Sequence, residues 1–320
     1  MKKTILLFVI FFSFYANAQN YSIIDSHLHF LDFTQDTDGF PRVIQAMDSA
    51  NVEKAIVFGM PMVKMWSEND PIRPEYYLNT DSRAYYYSAT DFLLAERLLR
   101  ENEETQKRFY PFISGINPLD LNSAQFIETL LELYPNFWKG IGEIISRHDD
   151  LTAFLYGEFP RANHPALMKV YQLAAKHDLP ILIHHDITSV SYNNPIYLKE
   201  FEDAVYRNPK TIFIWAHAGT SRRIGIDKHI LTLKRLLNEY PNLFIDISWV
   251  LFDEHIKMDM DNWVSFIEEF PDRFSLGSDN VANTKTYVKD VSKYQPLLKR
   301  LKPKTRELVS KGNIERILEE

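Results

Sequence analysis

Two histidines separated by a single residue end a short apolar run near the start of the sequence. They are His27 and His29, in the segment Ile23-Ile24-Asp25-Ser26-His27-Leu28-His29. Side chains two positions apart on a β-strand point to the same face, so both imidazoles can reach one metal ion. A solvated strand also carries such a pair by chance, so this spacing alone leaves metal binding and a surface strand equally open.

Further residues of the types that bind metal ions occur at the ends of four other apolar runs. They are Glu143, His184, His217 and Asp279. Imidazole and carboxylate groups are the ligands of zinc and of harder divalent cations. Because chance rarely places so many such groups at the same end of five strands, the set predicts a metal site. The chain has no cysteine, which excludes thiolate ligands and disulfides.

Eight short apolar or β-branched runs alternate with longer amphipathic segments. The predicted strands are Ile23–His29, Lys54–Phe58, Tyr110–Ile116, Trp138–Ile144, Ile181–His184, Thr211–His217, Leu243–Ser248 and Phe274–Asp279. The predicted helices include Arg42–Ala50, Asp91–Arg100, Ser123–Leu133, Pro165–His177, Asp227–Glu239 and Asp261–Phe270. Ser123 and Asp227 are predicted to cap the N-termini of their helices.

This alternation predicts an α/β protein, a (β/α)8 TIM barrel that forms a single domain. In such a barrel the C-terminal ends of the strands build the functional site. The alternative is an open doubly wound sheet, which normally has a Gly-rich phosphate turn after its first strand. The segment around His27 has no such turn.

The first 18 residues have the features of a secretory signal peptide. Lys2 and Lys3 precede an apolar run from Ile5 to Tyr15, and Ala16-Asn17-Ala18 fits a cleavage site. The run is shorter than the ~20 residues that span a bilayer, which disfavours the alternative of an uncleaved anchor. We therefore expect residues 19–320 to form the barrel domain of a periplasmic or secreted protein.

The charge of the chain disfavours several classes of partner. The formal net charge is −7 at pH 7, and removal of the signal peptide takes away two lysines and no acid. An acidic surface does not suit a protein that binds nucleic acid or a lipid surface. The expected partner is a small-molecule substrate, without nucleic acid and without a membrane after signal cleavage, and a homo-oligomer is left open.

The ordered motifs of the chain resemble those of the amidohydrolase superfamily, in particular its amidohydrolase-related branch. They are Asp25-Ser26-His27-Leu28-His29, Gly142-Glu143-Ile144, Leu182-Ile183-His184, Trp215-Ala216-His217-Ala218-Gly219 and Leu276-Gly277-Ser278-Asp279. The resemblance covers nearly the whole chain after the signal peptide. It implies a (β/α)8 barrel that holds one or two divalent metals, commonly zinc, at its C-terminal face.

The resemblance also implies a role for each motif residue. His27 and His29 look like ligands of the more buried metal, and Glu143 looks like a carboxylate that bridges two metals. His184 and His217 look like ligands of a second metal, and Asp279 looks like both a ligand and the catalytic proton shuttle. Many members of this branch bind one metal and use the residue matching His217 in catalysis, so the number of metals stays open.

Four residues in predicted loops are candidate substrate contacts. They are Trp66, His148, Arg222 and Trp249. A guanidinium such as that of Arg222 can bind a substrate carboxylate or phosphate through paired hydrogen bonds. Trp66 belongs to a long aromatic segment, residues 59–90, for which a lid or substrate wall and an apolar cluster on the barrel rim are both open.

Together, the residues and the resemblance predict an exported hydrolase that uses metal-activated water on a small amide, lactone or ester. The enzyme alternatives are a single-metal, non-oxidative decarboxylase or hydratase and a metal-dependent phosphoesterase. Outside enzymes, the alternative is an exported protein that binds a small ligand without converting it. Fold alone does not choose among them.

Overall fold

A computed structural model describes residues 21–189, 194–222 and 229–319 of the 320-residue chain. The predicted signal peptide lies outside these ranges. Among the helices in them, none is both long enough and apolar enough to cross a membrane.

Eight parallel strands close into a barrel, which confirms the predicted fold. In chain order they are β1 (Ile23–His29), β2 (Val52–Phe58), β5 (Phe109–Ile113), β6 (Gly140–Ile145), β7 (Ile181–His184), β8 (Phe213–Ala216), β9 (Leu243–Ile247) and β10 (Phe274–Leu276). Each strand pairs with its sequence neighbour in this set, and β10 pairs with β1 through Leu276 and Asp25. Closure leaves the sheet without a free edge and brings all eight carboxyl ends to one rim.

Helices follow the strands and cover the outside of the barrel. They are α1 (Phe40–Ser49), α2 (Ala89–Leu98), α3 (Glu103–Gln106), α4 (Ser123–Leu133), α5 (Pro165–Lys176), α6 (Leu198–Arg207), α7 (His229–Glu239), α8 (Met260–Glu269), α9 (Thr284–Ser292), α10 (Gln295–Arg300), α11 (Pro303–Glu307) and α12 (Asn313–Glu319). In α6, for example, Leu198, Phe201 and Val205 are buried at helical spacing. Such a stripe packs on the strands while the other face meets water.

The amino-terminal end of the barrel is closed by apolar packing. Ile24, Phe112 and Leu182 fill the interior there, and Ile314 of α12 joins the same cluster. The chain enters at this end: the backbone N–H of Tyr21 donates to the side chain of Gln295, whose amide donates back to the Tyr21 carbonyl. The open end is therefore the carboxyl rim.

Two predicted strands end three residues earlier than expected, because side-chain carboxylates replace the sheet ladder, and the strands predicted to end at His217 and Ser248 each end one residue early. The third strand stops at Ile113, where the N–H groups of Ser114 and Gly115 donate to buried Asp91. The eighth strand stops at Leu276, and the N–H of Ser278 donates to Asp25 on β1. A short strand, β11 (Asn280–Val281), then pairs with the end of β1.

The predicted cap at Ser123 is wrong by one residue. The cap position of α4 is Asn122, and the Ser123 hydroxyl donates to the Asn117 carbonyl. The predicted cap Asp227 lies outside the described residues.

The long segment after β2 is an ordered part of the rim. It contains a two-stranded antiparallel hairpin, β3 (Met62–Lys64) and β4 (Ala84–Tyr86). Met62 and Tyr77 pack with Ile145 and Leu151 in an apolar cluster above the barrel. Lys64 is buried beneath the connection, and its ammonium donates to the carbonyls of Thr80 and Ser82. The segment thus forms the predicted rim cluster, and part of it also walls the cavity described below.

We expect replacement of Trp215 on β8 by alanine to destabilise the barrel strongly. Its indole is fully buried, stacks on Phe201 with ring centroids 4.0 Å apart, and donates to the His185 carbonyl. Truncation of such a side chain costs about 3–5 kcal/mol of unfolding free energy. The matched control is Trp66→Ala, since Trp66 is 59% exposed, with an expected change within about 0.5 kcal/mol. Urea unfolding measures both, and equal effects would contradict the assigned packing.

Candidate metal centre

Both histidines of β1 point into the barrel. Every residue of β1 is buried, and the two imidazoles lie side by side with ring centroids 5.3 Å apart. Phe58, the last residue of β2, packs edge-on against both rings. The alternation of the strand therefore brings His27 and His29 to the same face, as the sequence predicts.

Glu143 reaches the same place because β6 is irregular just before it. The pairing of β6 with β7 shifts register between Ile141 and Ile144. Gly142 lies in this irregularity with φ +139°, and a Cβ atom there would approach the Leu182 carbonyl to 2.2 Å. Such irregularities redirect a side chain, and this one turns Glu143 into the barrel.

The remaining three predicted ligands lie at the ends of strands β7, β8 and β10. His184 is the last residue of β7, His217 directly follows β8, and Asp279 lies three residues after β10. His217 and Asp279 both have left-handed backbone, with φ +54° and +50°. The structure brings all six predicted ligands together, and only Asp279, at 14% of its side chain, is appreciably exposed.

The first half of the cluster has four close nitrogen–oxygen approaches. His27 Nε2 lies 3.5 Å from Glu143 Oε2 and 3.3 Å from Asp279 Oδ1. His29 Nε2 lies 3.3 Å from each of the same two oxygens. With metal–ligand bonds of 2.0–2.1 Å, adjacent ligands of a tetrahedral zinc ion lie about 3.4 Å apart. These nitrogen–oxygen separations are those of neighbouring metal ligands, and His27, His29 and Glu143 form one group that can hold a cation.

The second half uses the other oxygens of the same two carboxylates. Glu143 Oε1 lies 3.4 Å from His184 Nδ1 and 3.9 Å from His217 Nε2, and Asp279 Oδ2 lies 3.6 Å from His217 Nε2. Glu143 Oε1 and His27 Nε2 are buried without a hydrogen-bond partner among the described residues. Buried atoms with free lone pairs fit a group that binds a cation. These residues can therefore hold one or two divalent metal ions.

The outer nitrogens of three imidazoles have partners that fix which nitrogen faces the centre. His27 Nδ1 lies 2.8 Å from Asp246 Oδ2, and His184 Nε2 lies 3.0 Å from Asp186 Oδ1. His217 Nδ1 lies 2.7 Å from the Ser248 hydroxyl, which donates to Asp246 Oδ2. A carboxylate or hydroxyl that accepts the outer N–H keeps that proton on the outer nitrogen and points the inner nitrogen at the centre, where it can bind a metal after losing any proton of its own.

Gly277 leaves room for this outer arrangement. A Cβ at this position would lie 2.4 Å from His27 Cβ and 2.5 Å from Asp246 Oδ1. Any larger residue would therefore press directly on the hydrogen bond between the two side chains.

In the absence of a cation, the cluster is held by opposite charges. Burial disfavours the charged form of each histidine and carboxylate in the cluster. For most of them the attraction of oppositely charged neighbours outweighs the effect of burial. Glu143 and Asp279 hold the pKa of His27 well above its usual value, and His27 in turn holds the pKa of Glu143 well below its own. Asp186 and Glu143 raise the pKa of His184 to about 10 despite its burial. Burial lowers the pKa of His217 to about 4.

Three of the four candidate substrate contacts line one cavity of about 180 Å³ above this cluster: His148, Arg222 and Trp249. The His148 ring stacks on His184 with centroids 4.5 Å apart, and Trp249 lies 5.3 Å from the His217 ring. Trp66 is not at the cavity: it is 59% exposed, and its indole donates to the Asp70 carbonyl. The indole is held by this hydrogen bond within its own loop, and it does not form part of the cavity wall.

Sequence reasoning missed the residues that support the ligands. Asp246 lies in the middle of a buried strand, and Asp186 follows His184 by two residues, a spacing that could have indicated a partner. Tyr76 and Tyr77, from the long aromatic segment, also line the cavity. His185, next to His184, points behind the barrel, where its ring contacts Ser146 and the Tyr197 carbonyl.

Known proteins resemble this chain in sequence pattern and in fold. The sequence model of the Amidohydrolase family matches residues 24–319. No functionally curated protein matches significantly. Among solved structures, an amidohydrolase from Burkholderia multivorans with bound zinc has 15% identity and a TM-score of 0.61, over 93% of this chain and 99% of its own.

Two further solved structures carry the names of decarboxylases. The 2,6-dihydroxybenzoate decarboxylase from Rhizobium has 13% identity and a TM-score of 0.55, over 93% of this chain and 98% of its own. The 5-carboxyvanillate decarboxylase from Sphingomonas paucimobilis has 14% identity and a TM-score of 0.54, over 93% of this chain and 99% of its own. At these identities the likeness shows the barrel fold and no particular reaction.

We expect Asp246→Asn to weaken binding of Zn²⁺ by about 10- to 100-fold, the usual cost of losing a partner of a metal-binding histidine. The amide of Asn can donate its N–H to His27 Nδ1. The ring proton would then lie on Nε2, the nitrogen that faces the centre, and would compete with the metal. The control is Asp253→Asn, because Asp253 is 51% exposed in its side chain and pairs with Lys293, away from the cluster. Competition with a chromophoric chelator measures both affinities, and an unchanged affinity of the Asp246 variant would contradict the assigned role.

We also expect Zn²⁺ affinity to rise with pH. Glu143 and Asp279 hold the pKa of His27 well above its usual value, and the pKa of His184 is raised to about 10, so these two rings carry protons near neutral pH when no cation is bound. A metal requires the unprotonated nitrogen, so binding must release protons, and affinity should rise from about pH 6 to about pH 8. Calorimetry in buffers of different ionisation enthalpy counts the released protons, and a count of zero would be inconsistent with these histidines as ligands.

Proposed function

Because the chain belongs to the amidohydrolase family, we propose that it is a metal-dependent hydrolase of a small carbonyl-type substrate, such as an amide, lactone or ester. The observation that carries the proposal is the position of Glu143. Its Oε2 faces His27 and His29, and its Oε1 faces His184 and His217. One carboxylate thus serves two groups of histidines, an arrangement suited to two metals.

A divalent cation held by these residues polarises a carbonyl oxygen and makes water a stronger acid. The chain itself supplies the proton transfer. Asp279 is the one carboxylate of the cluster that is appreciably exposed, and it lines the cavity where a substrate would lie. Its pKa is lowered to about 2: burial opposes this shift, but nearby His27 and His29 outweigh the burial. An ionised Asp279 can accept a proton from the attacking water and deliver it to the leaving group.

The cavity walls support the same chemistry. Phe33, Met60, Ile145 and Leu151 contribute apolar surface around the polar floor. Apolar walls exclude bulk water, which strengthens the attraction between the floor and a polarised carbonyl group.

A one-metal decarboxylase is the second candidate, and the position of His217 favours it. His217 Nε2 lies 3.9 Å from Glu143 Oε1, farther than the 3.4 Å of His184 Nδ1. Ser248 already holds its other nitrogen. A His217 that binds no metal could transfer a proton to a substrate carbon, which a decarboxylation needs.

We further propose that the enzyme is exported to the periplasm or beyond, on the basis of residues 1–18. Mass spectrometry of the protein purified from the periplasm or medium tests this. A mature N-terminus at Gln19 is the expected result, and a cytoplasmic protein that keeps Met1 would contradict it.

The decisive test combines metal content with turnover. We expect elemental analysis to find two divalent metals per chain, and a screen of lactones, amides, aryl carboxylates and phosphoesters to reveal hydrolysis. Asp279→Asn should lower kcat by about 100- to 10,000-fold, the usual contribution of general acid–base catalysis.

Asp272→Asn is the matched control, because Asp272 is 48% exposed in its side chain and precedes β10 at the closed end. One metal per chain with release of CO₂ would favour the decarboxylase. Turnover that survives in the Asp279 variant would exclude the hydrolytic mechanism, and ligand binding without turnover of any class would identify a binding protein.

A further inference from the structure

A second cavity lies outside the barrel, along helices α7 and α8. Its volume is about 490 Å³, and it shares no lining residue with the cavity above the histidine cluster. Its walls come from α7, from the helical turn Leu251–Ile256 and from α8. Leu231 and Met258, which also line it, are 64% and 79% exposed. The cavity is therefore open to solvent and separate from the candidate metal centre.

Two histidines in this second cavity have ring nitrogens that lack partners. His229, at the start of α7, is 3% exposed, and both of its ring nitrogens are buried without a hydrogen bond to any described residue. The Ala218 backbone lies near this ring, but no hydrogen bond of ordinary geometry forms. The Nε2 atom of His255 is also buried without a partner among the described residues, and the two ring centroids lie 6.3 Å apart.

A buried histidine elsewhere in the barrel shows the usual arrangement. His185 is fully buried, yet its Nδ1 lies 2.9 Å from the Ser146 hydroxyl and its Nε2 lies 3.2 Å from the Tyr197 carbonyl. Burial of a polar ring without such contacts costs free energy, so an unpartnered buried imidazole calls for an explanation. The nitrogens of His229 and His255 therefore indicate that a further group binds between them.

The charges around the second cavity favour a cation as that group. Glu254 and Asp259 line it, and neither carboxylate is paired with a cationic side chain in the described part of the chain. The Asp259 carboxylate accepts hydrogen bonds from the Asn262 amide. Lys234 also lines the cavity, but its ammonium is paired with Glu269. The local charge is thus negative, which disfavours an anionic ligand.

The donor atoms decide which cation fits. Imidazole nitrogens suit transition metals such as Cu²⁺, Ni²⁺ and Zn²⁺, whereas Mg²⁺ and Ca²⁺ prefer ligands that are all oxygen. The rings of His229 and His255 are 1 Å farther apart than those of His27 and His29, whose centroids are 5.3 Å apart. Because His255 is only partly buried, its side chain can turn toward His229 and close this difference.

We propose that His229 and His255 form a second metal site, which binds a transition-metal cation such as Cu²⁺ or Zn²⁺, with Glu254 or Asp259 as an additional oxygen ligand. The site is independent of the proposed hydrolysis. Helix α7 follows the strand that leads to His217, and the turn with His255 begins two residues after Trp249. A cation here would therefore cross-link two connections that leave the rim of the barrel.

The experiment counts zinc in the mature protein, produced without a polyhistidine tag and equilibrated with buffered free Zn²⁺. We expect the wild-type protein to hold one more zinc per chain than His255→Gln. This difference does not depend on whether the histidine cluster holds one metal or two. The variant should bind the extra ion more than about 100-fold more weakly, because loss of an outer partner of a ligand already costs 10- to 100-fold.

The matched control is His177→Gln, since His177 is an exposed histidine at the end of α5. It should keep the extra zinc. His229→Gln tests the same site from the other element and should lose the extra zinc, and urea unfolding of the metal-free proteins shows whether each variant folds. Because His255 is partly exposed, its variant carries the test if His229→Gln does not fold.

Two further measurements separate a built site from zinc that is bound by chance at the surface. One equivalent of Cu²⁺ added to the zinc-loaded protein should give an electron paramagnetic resonance spectrum with coupling to two nitrogens, absent in His255→Gln, without release of zinc. The midpoint of thermal unfolding should also rise with free Zn²⁺ in the micromolar range, again only when both histidines are present.

Equal zinc content in the wild-type protein and His255→Gln would overturn the inference, as would an equal loss in His177→Gln. Turnover, measured in parallel, should be the same in all three proteins. An absence of hydrolysis together with the extra zinc would count against the proposed function alone. Hydrolysis with no difference in zinc content would count against the second metal site alone.

Discussion

The buried carboxylate of Asp246 is the interaction on which the centre depends most. It accepts a hydrogen bond from Ser26 on β1, lies against His27, and reaches His217 through the Ser248 hydroxyl. A fully buried carboxylate is costly unless donors surround it, and these three side chains supply them. In return, the carboxylate fixes one histidine from each half of the cluster. The two halves of the cluster are therefore not independent. Both contain an oxygen of Glu143 and of Asp279, and a histidine in each half is held by Asp246, His27 directly and His217 through Ser248.

The sequence predicts the ligands because strand periodicity and strand ends are local properties. The two-residue spacing of His27 and His29 is sufficient to place both in the barrel, and the order of apolar runs is sufficient to gather the other ligands at one rim. Asp246 could not be found in this way, because its partner His27 lies 219 positions away in the chain. The early ends of β5 and β10 also depend on distant carboxylates, Asp91 and Asp25.

The residues that line the cavity are harder to predict than the residues of the histidine cluster. Trp66 and Trp249 look alike in sequence, yet only Trp249 reaches the cavity. Trp249 has a left-handed backbone, φ +42°, and lies two residues after the end of β9. His217 and Asp279 share this feature after β8 and β10, and such conformations cost of order 1–3 kcal/mol each unless the surroundings enforce them. The surroundings do so at Asp279, whose N–H donates to the His27 carbonyl. These three left-handed positions all lie at the open rim.

The closed end of the barrel has a practical consequence for handling the protein. The chain enters beside Gln295, and β1 then crosses the barrel, roughly 20 Å along the strand, before it reaches His29. The α12 helix seals the interior at the entry end. An affinity tag, a fluorophore or a solid support attached in front of Tyr21 would therefore lie on the side opposite the cavity mouth. Immobilisation through the amino terminus should leave the mouth facing the solution, so a surface-bound form can be supplied with metal and ligand by flow.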